Sequence, residues 1–168
     1  SSDLAFAVKG QNWSFPTYNW EEMSKDGYAW WGKRMQHMSQ YFDATRVDHV
    51  LGFFRIWSIP LHAIDGDFGY FFPALALSAA DFEMAGLYFD EKRFCQPFIT
   101  DELLQQQFGG RASDIKMHFF DGDTFRESCN TQRKLDAYAQ SLGVTSEEKR
   151  KLLDLLSNVI LWRDGNDS

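Results

Sequence analysis

The side chains in this sequence with the clearest chemical potential are an arginine and an aspartate two residues apart, Arg46 and Asp48 in "TRVDHVLGF". Because side chains alternate along a strand, this spacing predicts that both lie on one face, about 7 Å apart. A nearby guanidinium favours the ionised carboxylate, and in a β/α barrel the reacting groups collect at the C-terminal ends of the strands. An ordinary ion pair at the rim of a sheet has the same spacing, so both interpretations stay open.

The stretch "GQNWSFPTYNW", residues 10–20, crowds flat rings and side-chain amides together. Its two Trp, one Phe and one Tyr could fill a core corner, since aromatic side chains are large hydrophobic fillers. The same rings could stack on a flat ligand whose hydroxyls bond to the amides of Gln11, Asn12 and Asn19. Composition alone favours packing, because buried aromatics are common.

Other reactive residue types are spaced unfavourably for a site. The four histidines lack the short spacing of zinc ligands, so we predict no metal site: they are His37, His49, His62 and His118. The stretch "FFDGDTF" around Gly122 predicts a hairpin turn, because a calcium loop would require several further oxygen ligands.

The composition of the 168 residues indicates a globular chain of one domain, or one domain with a smaller appendage. The net charge of -7 and the lack of a basic run argue against nucleic acid or an anionic membrane as a partner. We find no apolar stretch of transmembrane length and no signal-peptide pattern at the start. Cys95 and Cys129 are far apart, which favours reduced structural thiols and a cytoplasmic protein.

The elements that would position the candidate residues change character near Asp65. Apolar residues at near-helical spacing predict a helix over residues 20–39, interrupted at Gly27. Val, Thr and aromatic residues then predict a strand over residues 42–47, buried on at least one side. A helix followed by a strand is typical of α/β proteins, so we predict a helix-rich α/β fold.

After Asp65 the sequence predicts mostly helix, with capping residues marking the starts. We expect a short helix from Ser78, one capped by Thr100, and a longer one from near Asn130 to before Gly143. Thr145 and Glu148 form a capping-box pattern. The helix that follows would face a core with four leucines: Leu152, Leu153, Leu155 and Leu156.

The two motifs "GQNWSFPTYNW" and "YFDATRVDHVLGFFRIWSIP" together resemble the 4-alpha-glucanotransferases of the amylomaltase family, glycoside hydrolase family 77. The resemblance runs from about residue 9 to residue 60. The later "AIDGDFGYFFPALALS" and the helical segment resemble the insertion in the larger, plant-type enzymes of this family. The resemblance implies that residues 1–64 are a partial segment of a (β/α)8 catalytic barrel and residues 65–168 a mostly helical inserted region.

The resemblance also implies roles for individual residues and a reaction that needs no cofactor. Asp48 matches the family's catalytic nucleophile, which forms a covalent glycosyl-enzyme intermediate. Arg46 matches the arginine that positions the nucleophile, and His49 a sugar-binding histidine. Gln11 and Trp13 fall on the substrate-contacting loop. The implied partners are α-1,4-glucans and maltooligosaccharides.

The sequence departs from the family pattern in two respects. Ser14 stands where the family leads us to expect Gly after Trp13, at a cost on the order of 1 kcal/mol if that position has positive φ. The sequence also has no Glu-Asp-Leu-Gly motif, which carries the family's acid/base, and no His-Asp dipeptide. A retaining mechanism needs that second carboxyl group, so we expect an excised piece of the enzyme that is inactive alone.

A noncatalytic unit is the alternative, with the region beyond Asp65 serving as a glucan-binding, interaction or oligomerisation module. An isolated barrel segment would also leave strand edges and apolar faces uncovered, so we expect it to form a homo-oligomer.

Overall fold

The structure is a computed structural model that describes residues 9–163. The described chain is rich in helix and has four short strands. Its helices are α1 (Trp20–Ser24), α2 (Ala29–Met38), α3 (Ala79–Met84), α4 (Glu91–Cys95), α5 (Asp101–Phe108), α6 (Ala112–Phe119), α7 (Gln132–Ser141) and α8 (Ser146–Leu156). Its strands are β1 (Ile56–Ser58), β2 (Tyr70–Phe72), β3 (Phe120–Asp121) and β4 (Thr124–Phe125).

The described residues divide into two compact units. The aromatic unit consists of residues 13–58 and 71–73, and the helical unit of residues 9–12, 59–70 and 74–163. This division reflects which parts of the chain pack together. The functional division into a barrel segment, 1–64, and an inserted region, 65–168, stays a prediction.

The aromatic unit begins with the interrupted helix that the sequence predicts. The side chain of Asn19 accepts a hydrogen bond from the backbone of Glu22 and caps α1. Gly27 and Tyr28 both have positive φ, 67° and 59°, which ends the first helix before α2 starts. The predicted interruption at Gly27 is therefore confirmed.

A cluster of rings joins the two helices of the aromatic unit. The ring of Trp20 lies 6.4 Å from that of Trp31, and the ring of Phe53 lies 5.4 and 5.2 Å from the two of them. Even so, every residue from 13 to 58 stays at least partly exposed to solvent. The unit thus has an aromatic cluster but no buried core of its own.

The predicted strand over residues 42–47 is wrong. This stretch is irregular and all six residues are exposed; the nearest strand is β1, which pairs with β2. Strand propensity reflects how a side chain fits a packed, hydrogen-bonded sheet. No strand in residues 9–163 pairs with residues 42–47, so their Val, Thr and aromatic content has no sheet to join.

The helical unit, by contrast, has a well-defined core. Side chains from α5 to α8 form one buried cluster, in which Leu104, Ile115, Phe119, Leu135 and Leu152 are at most 1% exposed. Burial of each such side chain contributes on the order of 2 kcal/mol.

The capping residues of this unit lie where the sequence predicts them. Thr100 accepts a hydrogen bond from the backbone of Leu103, and Thr131 caps α7 near the predicted start. Capping boxes open α3 and α8 at Ser78 and Thr145. On α8, Leu153 is partly buried against the core, and Leu152, Leu155 and Leu156 are buried.

The predicted hairpin is also confirmed. Strands β3 and β4 are antiparallel, with Phe120 opposite Phe125, and Gly122 in the turn has φ of 65°. Cys95 and Cys129 are both free thiols. None of the described helices combines the length and the apolar character needed to cross a membrane. A helix-rich chain with a few short strands agrees with a partial α/β fold.

Candidate active site

Arg46 and Asp48 lie side by side in the irregular segment before β1. The Nη2 atom of Arg46 is 3.9 Å from Oδ1 of Asp48, and the side chains are 91% and 93% exposed. The two groups are therefore together, as their spacing predicts, although no strand face holds them. At this exposure water screens the attraction, so the pair contributes at most about 1 kcal/mol to stability.

His49 follows in a constrained conformation. Its backbone is left-handed, with φ of 48° and ψ of 51°, and its carbonyl accepts a hydrogen bond from Gly52 at 2.9 Å. The imidazole lies over Gly52, since a Cβ atom there would be 2.8 Å from Cδ2 of His49. Glycine at position 52 therefore leaves the space that the ring occupies.

The turn after His49 is anchored to the helices of the aromatic unit. Residues Val50–Phe53 form a short 3₁₀ turn, and the ring of Phe53 packs against those of both Trp20 and Trp31. Phe54, the next residue, is 72% exposed. The Phe53 anchor fixes the C-terminal side of the segment that carries Asp48.

The aromatic loop carries Trp13 on the surface. Trp13 is 66% exposed and makes an edge contact with Phe15 at 5.8 Å between ring centroids. Ser14 has φ of 55°, so the position that we expect to be Gly in this family does have positive φ. The serine is accommodated there at a cost on the order of 1 kcal/mol.

Gln11 belongs to the helical unit. A Cβ atom on Gly66 would lie 2.7 Å from the backbone nitrogen of Gln11, so the two backbones are in close contact. The amide of Asn12 approaches the carbonyl of Ala63 at 3.5 Å.

Charged groups of the helical unit surround the chain just before Gln11. Lys9 Nζ lies 2.8 Å from Asp154 and 3.7 Å from Asp67, and the hydrogen bond that Lys9 donates to Asp154 raises the pKa of Lys9. Burial raises the pKa of Asp65, and the charge of Asp67 adds to this effect. Sequence reasoning missed this group because its members are distant in the chain.

We searched the part of the chain that the structure describes for groups of side chains that could bind a metal ion. No three His, Cys, Asp or Glu side chains there are grouped so as to hold a metal ion.

Comparisons with known proteins relate the chain to one family. The profile of the 4-alpha-glucanotransferase family, glycoside hydrolase family 77, matches residues 4–161. The 4-alpha-glucanotransferase DPE2 of rice (Oryza sativa subsp. japonica) is 44% identical over 175 aligned residues, which cover 97% of this chain and 18% of the relative. No solved structure matches the chain.

Shorter matches relate the chain to enzymes of plants and bacteria. A potato (Solanum tuberosum) protein named 4-alpha-glucanotransferase, chloroplastic/amyloplastic, is 45% identical over 33% of this chain and 10% of its own length. The 4-alpha-glucanotransferase of Streptococcus pneumoniae is 47% identical over 33% of this chain and 11% of its own length. The chain thus spans less than a fifth of the length of each of these relatives. Since the family profile covers most of the described residues, the chain belongs to the 4-alpha-glucanotransferase family, glycoside hydrolase family 77.

Proposed function

We propose that this chain is the nucleophile-bearing section of a 4-alpha-glucanotransferase, which moves α-1,4-glucan segments to maltooligosaccharide or glycan acceptors. The observation that carries the proposal is the Arg46–Asp48–His49 segment in a member of this family, with the carboxylate fully accessible. Starch, glycogen and maltose are the natural sources of such donors and acceptors.

The proposed reaction is a retaining double displacement. The Asp48 carboxylate attacks the anomeric carbon of the donor, the glycosidic C–O bond breaks, and an acid gives its proton to the departing oxygen. The 4-hydroxyl of the acceptor then attacks the glycosyl–Asp48 ester, passes its proton to the same acid/base group and releases the carboxylate. That acid/base would come from a part of the enzyme outside these 168 residues.

The neighbouring residues would serve this nucleophile in different ways. Arg46 would hold the Asp48 carboxylate in place for attack, because its guanidinium is already within ion-pair distance. His49, held over Gly52, would bond to a sugar hydroxyl. Trp13 would stack on a glucose ring, and the Gln11 amide would bond to glucan hydroxyls.

The uncovered aromatic unit supports the proposal that the chain is one segment of a (β/α)8 barrel. A barrel needs roughly 250 residues, and its strands pack against strands and helices on both sides. In residues 13–58 no side chain is buried, as expected where neighbouring strands and helices are supplied by the rest of the enzyme. The match over 97% of the chain to the rice relative, against 33% to the potato one, supports a helical insertion of the larger form.

The test is disproportionation of maltotriose by the full-length parent enzyme and by the 168-residue chain. We expect activity in the parent only. Asp48→Asn should abolish it, and Asp43→Asn, a matched change at an exposed aspartate of the same segment, should leave it intact. Turnover by the isolated chain that disappears in Asp48→Asn would refute the need for a separate acid/base.

A noncatalytic module is the second candidate, because the helical unit has a buried core of its own. Maltooligosaccharide titration of the chain tests the first candidate: Trp13→Ala should lose binding, whereas Trp30→Ala, a change at another half-exposed tryptophan, should retain it. Light scattering tests the second. An association state unchanged by deleting residues beyond Asp65 would argue against an oligomerisation module, and a monomer at high concentration against self-association.

We also propose that the protein works in the cytoplasm and binds neither nucleic acid nor membranes. The acidic net charge of -7 supports the latter, since both partners are anionic. The two free thiols, whose pKa values are raised by burial, suit a reducing compartment. Fractionation of the source cells with antibody detection tests the location.

A further inference from the structure

The amide of Gln132 is fully buried in the helical unit, at the first residue of α7. Its Oε1 atom accepts hydrogen bonds from the backbone N–H groups of Ile64 at 2.5 Å and Asp65 at 3.0 Å. Its Nε2 atom donates to the Asp65 carboxylate at 2.9 Å and to the Ser157 hydroxyl at 3.0 Å. A primary amide has two donor hydrogens and two acceptor lone pairs, so every bonding position of this side chain is used.

These bonds tie the start of α7 to residues 61–67, which we call the support loop. The next residue, Arg133, reinforces the contact: its backbone N–H donates to the carbonyl of His62 at 3.1 Å, and its Nε to the carbonyl of Leu61 at 2.6 Å. Ala63 within the loop is fully buried. The first turn of α7 therefore holds the loop by both backbone and side-chain groups.

The support loop in turn carries the chain that leads to Gln11. Gly66 is buried, and a Cβ atom there would lie 2.7 Å from the nitrogen of Gln11 and 2.9 Å from the carbonyl carbon of Gly10. The backbone N–H of Asp67 donates to the carbonyl of Lys9 at 2.8 Å. The backbone of residues 9–11 thus rests directly on the loop.

We propose that Gln132 is a positioning residue for the glucan contact of Gln11, acting through the support loop. An apolar side chain of similar volume could fill the same space, so the distinct contribution of the amide is the register in which it holds the loop. Helix α7 would then take part in substrate binding without touching the substrate. This inference rests on the proposed function of Gln11.

The first test compares Gln132→Met with Gln140→Met in the full-length parent enzyme. Methionine keeps the approximate volume and helix propensity of glutamine but makes none of these bonds. Gln140 is the matched control, because it is exposed on the same helix and its side-chain amide donates to Asp136 on that helix. We expect Gln132→Met to raise KM for maltooligosaccharides about tenfold with kcat changed less than about twofold, since a ground-state contact is displaced. The control should change neither.

A second variant changes the support loop itself, at its contact with Gln11. Gly66→Ala forces the loop and Gln11 apart, because the atoms nearest to the added Cβ belong to Gly10 and Gln11. Gly66 is not part of the α5–α8 core, so this variant tests the inference even if Gln132→Met does not fold. It should raise KM as well, with kcat again nearly unchanged. A normal KM in Gly66→Ala, or in a folded Gln132→Met, would overturn the inference.

Two structural measurements separate this inference from the proposed function. In Gln132→Met, hydrogen exchange of the Ile64 and Asp65 amides should become faster, and the NMR signals of the Gln11 side-chain amide should shift. Gln140→Met should show neither change. A wild-type parent without glucanotransferase activity would refute the proposed function. The NMR signals of the Gln11 side chain would still test whether Gln132 positions Gln11: if they do not shift in Gln132→Met, the inference is refuted.

Discussion

Replacing Gly52 with alanine should disturb His49 while leaving the fold intact. The added Cβ would lie 2.8 Å from Cδ2 of the imidazole and 3.5 Å from Cδ1 of Ile56. Carbon atoms in contact prefer about 3.5–4.0 Å, so the ring has to move by roughly 0.7 Å or more. The φ angle of Gly52 is not positive, so its backbone conformation is one that alanine also adopts.

We expect Gly52→Ala to change both the free energy of unfolding and kcat/KM. Alanine is favoured over glycine in a helical turn by up to about 1 kcal/mol, and overpacking costs about 1–3 kcal/mol if the ring cannot rotate away. The free energy of unfolding should therefore change by less than about 2 kcal/mol. A shift of roughly 1 Å in a substrate contact can cost about 100-fold in rate, so we expect kcat/KM to fall by about 10- to 100-fold.

The assay is maltotriose disproportionation by the full-length parent enzyme, together with thermal unfolding. Gly32→Ala is the matched control, because Gly32 lies within α2 and a Cβ there meets no atom within 4 Å. It should stabilise the protein slightly and leave kcat/KM unchanged. Wild-type kcat/KM in Gly52→Ala, or an equal loss in Gly32→Ala, would refute the role of the His49–Gly52 contact.

Three further predictions concern stability. Ser14→Gly should stabilise the protein by about 0.5 kcal/mol in chemical denaturation, because relief of the left-handed backbone slightly exceeds the added chain entropy; a loss of stability would contradict this. A hydrogen bond from the Thr145 backbone N–H holds the pKa of Glu148 below its usual 4.5. The contribution of ionised Glu148 to the free energy of unfolding is therefore fully present above pH 4.5 and is lost as the pH falls through the folded-state pKa. Glu148→Gln should therefore cost about 0.5–1 kcal/mol at pH 7, and this difference should disappear once the pH lies below the folded-state pKa of Glu148; a difference that persists in strong acid would refute the charge argument. Leu152→Ala should cost about 2–5 kcal/mol, whereas Leu51→Ala, at a 69% exposed position, should cost less than about 1 kcal/mol.

Features encoded within a few residues could be predicted from the sequence. The caps at Thr100 and Thr145 and the turn at Gly122 depend on side chains and backbone angles within four positions, and all three are found. The strand over residues 42–47 could not be predicted correctly, because strand formation depends on a pairing partner elsewhere. The Gln132 contacts were missed for a related reason: they join residues 67 and 68 positions apart, which no local pattern reveals.

In the candidate site, too, a feature set by local spacing could be predicted and contacts with distant elements could not. The pairing of Arg46 with Asp48 follows from two-residue spacing and is present at 3.9 Å. The contacts of the Phe53 ring with two tryptophans depend on how the segment meets α1 and α2. Spacing alone does not specify such contacts.

The order of synthesis gives the Gln132 contact a consequence for biogenesis. Asp65 leaves the ribosome 67 residues before its partner in α7. At about 5–20 residues per second, that interval lasts roughly 3–13 s. Throughout it, residues 9–11 and the support loop have been translated but lack the amide that fixes their register. The segment that we propose to contact glucan can therefore reach its final register only after α7 has emerged.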